Sequence, residues 1–216
     1  MMNIGSRSTA HMHILDRPVP KGTSRYGDQG SVSLSAFAYL YSELVQYHQS
    51  RVSSISELER RLEAAGFGVG LKTIELAAFR SREFKRETRL MSILHFVSST
   101  VWRSLFGKAA DSLERSIDNA DEFMIVDYEP ITSTYISVPS DLGQLSVDSY
   151  LSGIIAGVLE GAGFPARVTA HNVALEEGEG SKVGSVGGSN IPRTEKAVFL
   201  CKFSQEVLAR DAALER

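Results

Sequence analysis

The sequence predicts a single domain that contains both helices and strands. Three observations carry this expectation. Apolar residues recur at helical spacing from about residue 31 to residue 107, while segments rich in β-branched and aromatic residues, bounded by proline or Gly/Ser stretches, occupy much of the remainder. The length of 216 residues suffices for one well-buried core. Composition agrees, because 43% apolar and 23% charged residues describe a soluble globular chain rather than a disordered or fibrous one.

Residues 1–30 are polar, contain Gly, Pro and Arg, and show no period, so a flexible tail is expected there. His11 and His13 lie within it, and two candidate ligands without a third make no metal site. In "SVSLSAFAYLYSELVQYHQ", Leu34, Phe37, Leu40, Tyr41, Leu44, Val45 and His48 form a helical stripe. Such a stripe is either core or divided between core and partner surface, and its aromatic content favours the second.

"SISELERRLEAAG" reads as the next helix. Ser56 is its candidate cap with Glu59 three residues on, and Leu58, Leu62 and Ala65 keep the spacing. Gly66 is expected to end that helix in left-handed geometry, with Gly68 and Gly70 shaping a turn before "LKTIELAAF" resumes helically. The stretch "GFGVGLKT" differs from a phosphate-binding loop at one position, where Leu71 replaces the glycine that admits the phosphates. A helix rather than a strand precedes it, so no nucleotide site is expected.

"FRSREFKRETR" interleaves Arg80, Arg82, Lys85, Arg86 and Arg89 with Glu83 and Glu87. A solvated face or connector explains it, and contact with an anionic membrane or acidic partner is the alternative. "TRLMSILHFVSSTVWRSLFGK" is a long helix ended by Gly107. Its stripe is Leu90, Leu94, Val97, Val101 and Leu105, and Ile93, Phe96 and Trp102 widen it, so the helix should be nearly surrounded by protein. His95 stands among these apolar residues and is expected to be a hydrogen-bonded core histidine rather than a ligand.

"EFMIVDYEP" and "TYISVP", bounded by Pro130 and Pro139, read as strands. "SVDSYLSGIIAGVLEGAGF" is a helix whose Gly153, Gly157 and Gly161 share one face, which predicts close approach of another backbone or an apolar guest. Packing on a sheet and lining of a ligand cavity are the two readings of that face. "ARVTAHNVAL" and "KAVFLCKF" are strands joined by a flexible Gly/Ser-rich loop at about 176–194. Cys201, in the last strand, is expected to serve as a small buried hydrophobe.

The single cysteine forbids an internal disulfide and points to a reducing compartment, the cytosol by default. No signal pattern or myristoylation motif is expected from the N-terminus. No apolar run approaches the ~20 residues a spanning helix needs, so membrane association should be peripheral or through a partner. A net charge of −3 gives no general attraction to nucleic acid. There is no GxSxG elbow, no HExxH and no metal-spaced Cys or His set, so no catalytic, cofactor or metal residue is expected.

Several stretches in series, "VSLSAFAYLYSELVQ", "GFGVG" leading to "RET", "LFGKAADSLE", "EPITSTYISVP", "GFPARVTAH" and "EVLARDAAL", resemble the small subunits of the transport protein particle (TRAPP). The resemblance spans most of residues 31–216 and implies an α+β domain with helices on one side of an antiparallel, roughly four-stranded sheet. It also implies a non-enzymatic role in a heteromeric vesicle-tethering complex, cytoplasmic and peripheral to endoplasmic reticulum and Golgi membranes. That complex would act in nucleotide exchange on a Rab-type GTPase during transport between the two. The partner surface implied is the first helix, through Leu34, Phe37, Leu40, Tyr41, Leu44, Val45 and His48. In two respects the chain departs from the family. Its 176–194 loop is longer, and no cysteine precedes the RET motif where a related subunit is acylated. A stand-alone sensor domain for a small apolar ligand is the alternative of a different class.

Overall fold

The computed structural model describes residues 32–80, 85–134, 136–138, 142–143, 145–175 and 195–214. The expected tail at 1–30, the loop at 176–194, and Arg82 and Glu83 of the basic run lie outside them. The chain divides into two units, Met1–Val32 and Ser33–Arg216, and the second is described below.

Helices fill the first half. Helix α1 (Leu34–Gln49) starts at Ser33, whose hydroxyl accepts the Ala36 N–H at 3.2 Å. Helix α2 (Ile55–Arg80) begins two residues earlier than the Ser56 reading, because Ser54 supplies the cap and accepts the Glu57 N–H at 3.3 Å. Glu59 is thereby released from the capping box, and its carboxylate accepts the Ser146 N–H at 2.9 Å instead.

Helix α2 also overturns the predicted break at Gly66. The helix runs without interruption through "GFGVGLKT", and of the described glycines only Gly107 and Gly163 have positive φ. The physical reason lies in helix α5 (Ser149–Ala162), which crosses α2 at glycines on both sides. A β-carbon on Gly66 would stand 2.0 Å from Tyr150 O, and one on Gly70 2.2 Å from Ile154 O. From the other side, Gly153 faces Glu63 O at 2.0 Å and Gly157 faces Phe67 O at 2.3 Å. The glycines are thus spacing residues for two backbones in contact. The face of α5 predicted to meet a sheet meets another helix.

A long helical segment follows as α3 (Leu90–His95), a π-helical stretch (Phe96–Val101) and α4 (Trp102–Phe106), closed by left-handed Gly107 at φ 78°. The Ala110 N–H binds Ser98 O at 2.8 Å and ties the next segment to the π stretch. This helix is amphipathic rather than surrounded. Leu94, Val97, Val101 and Trp102 are buried while Met91, His95 and Arg103 are exposed. His95 is therefore a surface residue, because position 95 falls on the opposite side of the turn from Leu94 and Val97.

The sheet is antiparallel with order β1-β2-β4-β3, comprising β1 (Ser112–Arg115), β2 (Glu122–Asp127), β3 (Ala166–Ala174) and β4 (Glu195–Phe203). Cross-strand partners Phe123 with Cys201 and Ile125 with Phe199 put buried side chains into the main core with Trp102, Ile155 and Leu159. Helix α6 (Gln205–Ala213) adds Val207 to it.

The number of strands matches the expectation, but one identity differs. The described residues of "TYISVP" take no place in the sheet, since Ile136 and Val138 instead pack on the smaller core of Tyr41, Val45, Leu58, Leu62, Leu145 and Val147. Strand β1 takes the fourth place, with Leu113 as its one apolar residue, too short an alternation to signal a strand.

Candidate interaction surface

The smaller core determines which side of α1 is free. Tyr41 and Val45 turn inward, and the Tyr41 hydroxyl donates to Val147 O. Its ring stacks on Phe37 at 5.8 Å and tilts against Tyr150 at 5.3 Å. Burial first, and then the nearby Asp148 charge, push the Tyr41 phenol well above its ordinary range, so it stays a neutral donor. Phe37 and Leu44 rest half-buried on the same core, and Leu34 and His48 are also half-buried.

The predicted stripe therefore splits. Tyr41 and Val45 belong to the chain's own interior, while Leu40 projects outward at 73% exposure. Tyr39 at 77% and Tyr47, neither in the predicted stripe, extend this outward apolar surface. Arg51 covers the Tyr47 ring at 3.7 Å, and His48 meets its edge at 5.3 Å. Burial lowers the His48 pKa, helped by Arg61 and then Arg51, so neutral imidazole is favoured at this end of α1.

Helix α2 contributes surface that the predicted stripe omitted. Leu76 and Phe79, three residues apart and so on neighbouring positions of one face, are exposed, Phe79 to 87%. Both lie in "LKTIELAAF", which the sequence marks as helical, but local spacing does not show which face the core leaves uncovered. Single exposed apolar residues are ordinary, but α1 and α2 each present aromatic side chains with aliphatic neighbours to solvent, the usual mark of a protein-binding face.

The basic run is partly consumed by structure. Arg86 and, from α6, Arg210 donate to the α5 C-terminal carbonyls of Ala162 at 3.4 Å and Gly163 at 2.6 Å. Arg89 pairs with Asp211 at 3.0 Å, and the same carboxylate accepts the Leu90 N–H at 2.9 Å. Arg80 and Lys85 remain exposed.

Between α2, α3 and α5 lies a cavity of about 250 Å³ lined by Ile74, Ala78, Ile93 and Phe96 with Lys85 and Arg86. Cys201 stands apart, fully buried in β4, with burial pushing its thiol up to about 12. Gly66–Thr73 is helical throughout, so the near-match to a phosphate loop forms no phosphate cradle.

Comparison with known proteins shows what the chain is similar to. The family model described as transport protein particle (TRAPP) component matches residues 37–186. The chain is 43% identical over 205 residues to trafficking protein particle complex subunit 5 of Dictyostelium discoideum, covering 95% of this chain and all of that protein. It is 43% identical over 184 residues to the Homo sapiens subunit 5, covering 85% and 87% respectively. Among solved structures, trafficking protein particle complex subunit 3 from Naegleria fowleri, covalently bound to palmitic acid, superposes with a TM-score of 0.60. That match covers 80% of this chain and 95% of the other at 17% identity, a likeness of fold.

Proposed function

This chain belongs to the TRAPP component family, and from that premise we propose that it is a non-enzymatic core subunit of the vesicle-tethering complex. It works by assembling with other TRAPP small subunits through α1 and α2. Through that assembly it contributes to guanine-nucleotide exchange on a Rab-type GTPase in transport between endoplasmic reticulum and Golgi, peripheral to their membranes. The observation that carries this reading is the outward apolar surface of Leu40, Tyr39 and Tyr47 on a helix whose opposite side is already buried in the chain's own core. Such a surface is stable in water only at a cost that a partner removes. Co-expression of the full chain with the other small subunits tests it. A stoichiometric heteromer by native mass spectrometry is expected, and a chain that stays alone in their presence overturns the reading.

The cavity of about 250 Å³ beside Ile74 and Phe96 favours a second reading, in which a small apolar guest binds without a covalent link. None of the residues lining it is a cysteine. The same mass spectrum separates the two readings, because a guest adds mass to the isolated chain whether or not a heteromer forms.

A further inference from the structure

Two arginines from different parts of the chain meet at the C-terminal end of α5. Arg210 of α6 donates to Gly163 O at 2.6 Å, and Arg86, ahead of α3, donates to Ala162 O at 3.4 Å. A β-carbon on Gly163 would stand 2.8 Å from Arg86 Nη2, so both guanidiniums lie beside this one residue. Arg210 also lies over the buried Phe164 ring, at 4.6 Å from its centroid. Capping of α5 accounts for only part of this arrangement. Each guanidinium has five N–H donors and spends one on a carbonyl, and neither forms a salt bridge among the described residues. Two whole positive charges also exceed the roughly half negative charge of one helix end.

A hollow of about 200 Å³ opens where the two arginines meet. Its lining is Arg86, Glu87, Thr88, Phe164, Arg210 and Leu214. Guanidiniums held by carbonyls and an aromatic ring present their donors as fixed forks, the arrangement that takes phosphate oxygens bidentately with little ordering cost. Thr88 brings a hydroxyl to the same space. Glu87 is the one carboxylate in the lining, and it forms no salt bridge with either arginine. The hollow adjoins the apolar cavity beside Ile74 and Phe96, because Arg86 and Glu87 line both.

We propose that this hollow binds a phosphate group, held between the guanidiniums of Arg86 and Arg210 with the Thr88 hydroxyl donating to it. The chemistry at the arginines is the same for free phosphate and for the phosphate head of a lipid whose chain enters the adjoining cavity. None of the lining residues belongs to α1 or α2, so the inference does not rest on the assembly reading.

The test follows the amide chemical shifts of Thr88, Gly163 and Phe164 in the full chain as inorganic phosphate is added at constant ionic strength. Saturable shifts centred on these amides are expected. Arg86→Gln and Arg210→Gln should each weaken binding by about tenfold or more, and Arg210→Lys, which keeps the charge but loses the fork, should fall between. Both arginines also cap α5, so Glu87→Gln is the decisive variant. Removing the opposing carboxylate should tighten binding by about threefold or more, a gain that misfolding cannot produce. Shifts that do not saturate, affinity unchanged in the arginine variants, or no gain in Glu87→Gln would each overturn the proposal. Sedimentation with phosphatidylcholine vesicles containing phosphatidic acid then assigns the source. Co-sedimentation that inorganic phosphate reverses, and that Arg210→Gln abolishes, supports the site with a lipid head as its ligand. Phosphate binding without co-sedimentation supports it with free phosphate, and co-sedimentation that the arginine variants leave intact overturns it.

Discussion

The indole N–H of Trp102 donates to the Asp127 carboxylate across 3.0 Å, with both side chains almost fully buried. The second carboxylate oxygen accepts from Lys108 at 2.6 Å and from the Glu129 N–H at 2.9 Å. One buried anion thereby joins the end of the long helical segment, the turn after it and the end of β2. In a site shielded from water these charge-assisted bonds are stronger than their surface equivalents, and each depends on the others being made.

Replacing that anion should therefore cost more than a single hydrogen bond. Asp127→Ala leaves the indole N–H unpaired in the core, for about 2–4 kcal/mol of lost stability. At about 2–4 °C per kcal/mol for a chain of this size, the thermal midpoint should fall by roughly 4–16 °C. Asp127→Asn keeps an acceptor for Trp102 and should lose less. Differential scanning calorimetry checks both, and an Ala variant that melts with the parent would deny the clamp.

The crossing of α2 and α5 gives a prediction whose sign reverses between a glycine of one helix and a glycine of the other. Gly157→Ala drives a β-carbon to 2.3 Å from Phe67 O, so the helices must separate, at a cost of about 1–3 kcal/mol or more. Gly68 lies in the same contact region by sequence, yet a β-carbon there meets nothing within 4 Å. Gly68→Ala should therefore stabilise by about 0.5–1 kcal/mol through reduced backbone entropy of the unfolded chain. Urea unfolding of both variants decides whether the glycines are spacers or breaks.

Cys201 offers a check on burial by chemistry. With its thiol fully enclosed and pushed up to about 12, almost no thiolate exists at neutral pH in the folded state. Unfolding returns the thiol towards the ordinary range near 8.5, so reactivity rises on denaturation and also as pH rises towards that range. Ellman's reagent should leave the native chain unlabelled over hours at pH 7.5 and label it stoichiometrically in guanidinium. Rapid labelling of the folded chain would place the thiol elsewhere than the core.

How far these features could be read beforehand depended on whether local sequence or distant packing controlled them. The α1 stripe, the helix stop at Gly107 and the strands containing Phe123, Val168 and Phe199 follow from local periodicity and glycine chemistry, which act within a few residues. Gly66 and Gly70 misled because a glycine that ends a helix and one that admits a second helix are the same residue until α5 is placed against it. Ile136 and Val138 have strand composition, but the small core beneath α1 offered them burial without pairing. The division of the α1 stripe into inward Tyr41 and outward Leu40 also required a partner, since 3.6-residue spacing defines a stripe and not which half of it the chain's own core covers.

That division makes Leu40 and Tyr41, adjacent in sequence, suitable for opposite tests. Leu40→Asp would place a carboxylate against an apolar neighbour in the assembly, weakening association by several kcal/mol. The isolated chain should keep its fold, because Leu40 is 73% exposed. Tyr41→Phe removes the hydrogen bond to Val147 O and should cost about 0.5–1.5 kcal/mol of chain stability with little effect on association. Titration calorimetry with the other TRAPP small subunits and thermal melts of the chain alone give the two readouts. If Leu40→Asp bound normally, the partner surface would have to lie away from α1.

A protein accelerates GDP release only if it binds the nucleotide-free GTPase better than the loaded one, since differential affinity alone shifts that equilibrium. This chain offers α1 and α2 to a neighbouring subunit under the proposed assembly, and the remaining surface of so small a domain can supply only part of a GTPase-binding site. Under that proposal, the isolated chain at high micromolar concentration should leave the release rate of fluorescent GDP from a Rab-type GTPase unchanged. The reconstituted particle should accelerate release, and a particle assembled without this chain should be slower by at least about tenfold, equivalent to roughly 1.4 kcal/mol of barrier. A particle carrying Leu40→Asp should behave as the particle lacking the chain, because the defect is one of assembly. Stopped-flow fluorescence on the four samples separates the outcomes. Full exchange without the chain would leave it a tethering role alone, and exchange by the chain alone would show that it carries a complete GTPase-binding surface beyond α1 and α2.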